Sequence, residues 1–318
     1  VSVPLTSGRA PGPGTAELAR SITRGKPRYG ERVVEGLLAL AAFLSVLTTI
    51  GIVVSLADGT REFLGQIPVT DFLLGTVWTP LFANGSFGVL PILSATLLIT
   101  GIAMVVAIPL GLGAALYLSE YATPRARKVL KPVLEVLAGI PTVVFGFFAI
   151  SFVTPNVLRP LFDGIGIFNA LSAGLVIGIL IIPIVASLSE DALSSVPQAM
   201  RDGALALGAT RTKVARKVVL PAALSGVIAS FVLALSRAIG ETMVAVIAAG
   251  SIAQLRFDPR EPMQTMTAFI AQAASGDQAV GTLGYNTLFA VGSLLFVITL
   301  LVNVVSIRLV RRFREVYE

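Results

Sequence analysis

Six stretches of this chain are long and apolar enough to cross a bilayer as helices: Leu37–Ala57, Val89–Leu118, Val133–Val153, Leu171–Leu188, Leu224–Gly250 and Leu288–Ile307. A hydrocarbon core about 30 Å thick takes ~20 helical residues, and inside it each segment must satisfy its own backbone polar groups. Runs of this kind dictate an all-α polytopic membrane fold with six transmembrane helices. The second carries Pro109, Gly111 and Gly113 near its end, which predicts a kink or a break there. The fourth is short and holds Pro183.

Composition agrees and removes whole classes of function. Only 13% of the 318 residues are charged and 55% are hydrophobic, whereas soluble domains carry about 25% charged residues. There is no cysteine and no histidine. Thiolate chemistry, disulfides, the commonest general base and the commonest metal ligand are therefore absent. No catalytic residue, metal or cofactor is expected. A net charge of +6 would suggest nucleic acid in a soluble protein; in a membrane protein the placement of the positive charges matters more, and lipid is the expected surroundings.

That placement orients the chain. The tail before span 1, the loops after spans 2 and 4, and the C-terminus hold 19 Lys and Arg, against 4 in the other three loops (Arg61, Arg159, Arg256 and Arg260). The positive-inside rule puts both termini in the cytoplasm. Residues 1–30 are rich in Pro, Gly and Arg without the apolar core of a signal peptide, and read as a flexible cytoplasmic tail. In the outer loops, Trp78 is expected at the membrane interface. Met263, Met266, Ile270 and Ala273 are spaced helically over a segment too short to span, either re-entrant or interfacial, or packed on the bundle.

The loop after span 4 reads SSVPQAMRDGALALGATRTKVARKVVLP over 194–221. Ser195 with Gln198 has the capping-box spacing, Pro197 suits a first turn, and Gly208 suits a left-handed stop. Two short helices joined at a glycine are predicted, with Pro221 opening span 5. A plain solvated basic loop is the bland alternative.

Arg237 lies at the middle of span 5, and Glu241 follows at i+4. A charge at mid-depth costs ~2.5–3.5 kcal/mol even on insertion scales, so such residues face a cavity or each other. The same face carries Gly226, Ser230, Ala234, Ala245 and Ala248, the mark of close helix packing or of a pathway wall. Two readings of the pair stand: a structural ion pair, or an anion site. A guanidinium grips two oxygens of an oxyanion, and the carboxylate could accept a bond from protonated phosphate but would only repel sulfate. Glu135 reads as an acid at the start of span 3, beside Lys131.

The 194–221 loop resembles the coupling loop of ATP-binding-cassette (ABC) importer permeases: E-A-A, three residues, G, nine residues, I, one residue, L-P. Asp202, Gly203 and Ala204 stand in the first three places, and Gly208, Val218, Leu220 and Pro221 follow at the family spacing. Asp for Glu, Gly for Ala and Val for Ile depart from it, and Gly203 loosens the first helix by up to ~1 kcal/mol relative to Ala. LSRAIGETMVAVIAAG (235–250), FGVLPILSATL (87–97), IPLGLGAALYLSEYA (108–122) and LEVLAGIPTVVFGFFA (134–149) resemble phosphate-specific permeases of this class, the C-type subunit more than the A-type.

The resemblance implies a type I ABC importer permease fold of the MetI-like kind. It divides the chain into a tail (1–32), the first helix and outer loop (33–84), a core (85–310) with its coupling loop (189–222), and a short tail (311–318). It also implies a bacterial inner-membrane location, a second permease subunit in a heterodimer, two copies of a cytoplasmic ATPase, and an extracytoplasmic phosphate-binding protein. Asp202, Gly203, Ala204, Gly208, Leu220 and Pro221 would face the ATPase. Arg237 and Glu241 would lie on the substrate path, with Thr142 and Thr242 lining it unless their hydroxyls bond to their own helix backbone. Lacking a phosphate-binding G-x-x-x-x-G-K-[ST] loop, the chain is expected to depend on a separate ATPase and to be no enzyme itself. A permease for molybdate or sulfate remains the alternative, as does an ATP-independent transporter.

Overall fold

Apolar runs interrupted by proline and glycine set the architecture. The computed structural model describes residues 29–312 except 81, 83, 84, 277, 278 and 280; the tail expected at the N-terminus lies outside it as far as residue 28, and 313–318 lie outside it too. By its contacts the chain divides into two units, residues 1–55 and 56–318. Helix α1 (Tyr29–Leu64) is continuous over 36 residues, and its stretch 31–55 buries nothing.

The second unit continues with α2 (Val69–Leu74), α3 (Leu90–Tyr121), α4 (Pro124–Ala138), α5 (Thr142–Leu158), α6 (Ala170–Ser194), α7 (Gln198–Ala206), α8 (Arg211–Ala222), α9 (Leu224–Ile239), α10 (Met266–Ala274) and α11 (Leu283–Arg312). Helices α1, α3, α6 and α11 are each long and apolar enough to cross a membrane. The other two expected spans are bent pairs: α4 meets α5 at 88°, and α8 meets α9 at 73°. Among the described residues there is no strand, only two isolated bridges, Val77 with Gln254 and Trp78 with Phe87.

Three expected spans change shape. The third was expected unbroken from Val133, but Pro141 has an extended ψ of 135° and stops the helix: it has no N–H to donate, and it drives the preceding residue out of the helical region. Helix α5 therefore turns away from α4, which buries no residue, and only the bent pair together has the length and apolarity of a span. Glu135 falls in the last turn of α4, so it is not the helix-starting acid expected. The fifth span stops at Ile239 and resumes as a π-helical turn over Ala245–Ala249, whereas the sequence suggested one helix to Gly250. The second, by contrast, runs unbroken past Pro109 and becomes π-helical only at Tyr117–Tyr121.

Lipid offers no hydrophobic drive between helices, so close approach through small residues has to hold them. A Cβ on Gly174 would sit 2.7 Å from the Ile102 Cβ, and one on Gly178 would sit 2.8 Å from the Val106 Cβ, which seats α6 directly against α3. Ala103, Ile177, Ile181 and Ala234 are fully buried around that seam. A second core at the far end joins Phe63, Phe72, Trp78, Met266 and Phe269, with Trp78 edge-on to Phe269 at 4.9 Å. Trp78 is thus 3% exposed and is no interface anchor. Met263, Met266 and Ala273 are buried as well, so the α10 segment is packed on the bundle.

Candidate functional site

The break after α9 places the charged pair. Arg237 lies in the last turn of α9, where a cation is favoured by the helix dipole, and not at the middle of a continuous helix. Its Nη1 is 2.9 Å from Glu241 Oε2, with the two side chains 41% and 2% exposed. That contact is out of line for a hydrogen bond, so Oε2 is paired by charge yet lacks an aligned donor. The other oxygen accepts a long 3.4 Å bond from the Val244 N–H, at the start of the half-helix that follows. A buried carboxylate with spare acceptor capacity stands beside a half-exposed guanidinium.

The small residues sharing that face mostly pack. Gly226 lies against Ala192 of α6, Ser230 and Ser189 hydroxyls meet at 2.7 Å, and Ala234, Ala245 and Ala248 are buried. Thr242 follows Glu241 in the break, and its hydroxyl bonds back to the Gly240 carbonyl at 3.1 Å. Thr142 opens α5 after the other break, and its hydroxyl has no partner among the described residues. Gly146 of α5 packs against Ile247, which brings the two interrupted spans side by side.

The basic loop holds the second group. Helix α7 starts from Pro197 as its cap, and Ser195 instead ends α6, so the capping box does not form. The Gln198 amide donates to Asp202 at 3.0 Å. The turn at Gly208 has φ +79°, the Gly208 N–H donates to the Leu205 carbonyl at 2.9 Å, and the Ala209 N–H to the Ala204 carbonyl at 3.1 Å. This is a Schellman stop, which needs a glycine in the left-handed region. Thr210 then caps α8. Leu220 and Pro221 close α8 before the 73° bend and do not open the next span; just ahead of Pro221 the helix widens into a π turn over Ala215–Val219, with the Leu220 N–H donating to the Ala215 carbonyl. Asp202, Gly203 and Gly208 are exposed, Ala204 is partly buried, and Leu207 is 90% exposed at the tip.

Two contacts here had no signal in the sequence beyond single charges. Arg201 donates to Glu120 at the end of α3 at 3.0 and 3.3 Å, to the Leu193 carbonyl at 2.8 Å, and to the Val196 carbonyl. It bolts α7 to the ends of α3 and α6. Glu190 of α6 is fully buried and bound by Arg127, by Lys131 at 2.8 Å and by the Ser194 hydroxyl at 3.0 Å. Hydrogen bonding to Glu190 first, and then to Asp191, holds the Lys131 ammonium above its ordinary pKa. A polar cleft of about 390 Å³ opens between these groups, lined by Glu120, Arg127, Gln198, Arg201 and Arg211. On the far-end loop, the adjacent Arg260 guanidinium holds exposed Asp258 down to about 2.

Among the described residues no cluster of acids could hold a metal ion. Residues 107–315 match the family model described as binding-protein-dependent transport system inner membrane component. Phosphate transport system permease protein PstC of Haemophilus influenzae is 31% identical over 317 residues, covering 92% of this chain and 98% of that one. Probable ABC transporter permease protein YqgH of Bacillus subtilis is 33% identical over 268 residues, covering 83% and 84%. In fold, the chain is similar to a bacterial ABC transporter involved in the import of the acidic polysaccharide alginate (TM-score 0.60, 15% identity, 91% of this chain and 100% of that one). It is similar also to the MetNI methionine ABC transporter in inward-facing conformations (TM-score 0.53, 21% identity, 72% and 95%). These relatives are transport permeases and not enzymes. The match over most of the chain, on a bundle of apolar helices with a MetI-like course, makes this a multi-pass membrane permease that belongs to the binding-protein-dependent transport system inner-membrane component family.

Proposed function

We propose that the chain forms half of a phosphate pathway through the bacterial cytoplasmic membrane, worked by a separate ATPase at its basic end. The observation that carries this reading is the half-exposed Arg237 guanidinium beside the buried Glu241 carboxylate, in the break of a membrane span. An arriving oxyanion meets the cation first. Displacing Nη1 from Oε2 frees an acceptor that protonated phosphate can bond and sulfate cannot. Several relatives carry phosphate transport in their names, which supports the choice of substrate.

Nineteen basic residues against four orient the basic loops and both termini to the cytoplasm. Helix α7 then projects Leu207 inward as a contact for the ATPase, and Arg201 passes its movement to α3 and α6. Asp202, Gly203, Ala204 and Gly208 form this contact, with Leu220 and Pro221 at the hinge into α9. A second permease subunit completes the pathway, two ATPase copies drive it, and an extracytoplasmic binding protein delivers phosphate. Within this chain 33–84 brings the first span and outer loop, 85–310 the core with its coupling loop 189–222, and Thr142 and Thr242 line the path at the two breaks.

The test is ATP-dependent phosphate uptake by the reconstituted complex carrying Arg237→Ala or Arg237→Lys. Lysine should keep part of the rate as a point charge, and alanine should lose it. Near-normal uptake by the alanine variant, with assembly intact, returns the pair to a structural role.

A further inference from the structure

We infer that Thr267 on α10 is a positioning residue for the Arg237–Glu241 pair, and that α10 splints the half-helix following that pair. The inference rests on the reading of the pair as the anion site. Because α9 stops at Ile239, the Glu241 carbonyl lies outside that helix and buried. A buried carbonyl has to find a donor from elsewhere. The Thr267 hydroxyl provides it, donating to the Glu241 carbonyl at 2.9 Å. This bond fixes the stretch of backbone from which the Glu241 carboxylate projects toward Arg237.

Thr267 is itself held in place. Its hydroxyl lies 3.0 Å from that of Thr265, which caps α10 by accepting the Ala268 N–H at 3.1 Å. The Met266 N–H donates to the Thr96 hydroxyl of α3 at 3.0 Å, and Thr96 donates to the Ile92 carbonyl at 2.7 Å. A buried polar chain thus runs from α3 through the first turn of α10 to the break in the fifth span. Farther along α10, the Gln272 amide donates to the Ser251 hydroxyl at 2.7 Å, just beyond the π turn at Ala245–Ala249. The same helix grips the half-helix at both ends, Glu241 before it and Ser251 after it. Moving α10 therefore carries the half-helix with it and resets the carboxylate against the guanidinium. The exposed loop carrying Phe257 and Arg260 leads into α10, so a partner pressing on that loop has a mechanical route to the site.

The experiment is a double-mutant cycle in cells whose own copy of the chain is deleted, reading uptake of radiolabelled inorganic phosphate per membrane-inserted molecule. Thr267→Val keeps the shape and removes the hydroxyl; it should lower the maximal rate about tenfold, and Thr267→Ser should restore it. In an Arg237→Lys background Thr267→Val should add little, because the pair it positions is already misaligned. A role in packing alone would instead give the same factor in both backgrounds, which would overturn the inference. So would near-normal uptake by Thr267→Val while Arg237→Ala is inactive. Normal uptake by Arg237→Ala would remove the anion-site reading first and leave Thr267 nothing to position. Should the valine variant fail to accumulate, Thr267→Ala is held to the same outcomes.

Discussion

Two glutamates in this chain are almost equally buried and have opposite surroundings. Glu190, at the basic end of α6, is bound by Arg127, Lys131 and the Ser194 hydroxyl. Glu241, in the break after α9, has one cation out of line and one long bond from a backbone N–H. A saturated buried carboxylate has nothing left to give a ligand, although Arg127 beside it is as open to solvent as Arg237. An under-served one retains acceptor capacity next to a cation that solvent can reach. Burial alone does not separate a structural acid from a functional one; the count of donors does.

The largest effect that can break this contrast is on transport at Arg237. Arg237→Ala should cut phosphate uptake roughly 10- to 100-fold, the scale of losing a charge-assisted contact, while leaving membrane abundance near normal. A parallel fall in abundance would make the two glutamates alike. Glu190→Ala should do the reverse. Its cations are 41% and 32% exposed and keep their water, so the loss is screened and comes to about 1–3 kcal/mol. It should appear as a lower melting temperature of the purified complex with uptake per folded molecule little changed.

Glu241→Gln sharpens the comparison further. Competition by sulfate against phosphate uptake should rise several-fold, since the amide no longer repels the fully ionised anion; unchanged competition would take Glu241 out of substrate choice. Gly208→Ala tests the basic end by a different route. A side chain at φ +79° costs about 1–2 kcal/mol, and the resulting shift of α7 should lower uptake per ATP hydrolysed more than it lowers membrane abundance. The smallest effect belongs to Asp258. With its carboxyl held near 2 against an ordinary 3.8, its stabilisation is present above pH 3.8 and fades as pH falls through 2. Asp258→Asn should lower the melting temperature slightly at pH 7, where the stabilisation is fully present, and should abolish the acid-dependent fall between pH 3.8 and 2.

Much of this was legible beforehand because it rests on local chemistry. Arg237 and Glu241 four apart predict a pair, and a pair forms. Gly208 after a helical stretch predicts a left-handed stop, and a Schellman turn stands there. Hydropathy, however, has no term for where a helix breaks, so Val133–Val153 and Leu224–Gly250 looked continuous although Pro141 and Gly240 interrupt them. Trp78 looked like an interface anchor because Phe269, against whose ring it packs edge-on, is distant in the chain. Glu120 and Arg201 gave no sign of each other across 81 positions.

The sequence by itself determined that this chain spans a bilayer in helices, which family it joins, and which residues pair within one turn. Desolvation of the backbone and nearest-neighbour spacing decide such matters, and both can be read along a line of residues. Only the tertiary structure decided that Glu190 is satisfied and Glu241 is not, and that Thr267 reaches the Glu241 carbonyl across 26 positions. Whether a buried polar group has its partners depends on which helices are brought against it, and that is settled by the packing of the whole bundle.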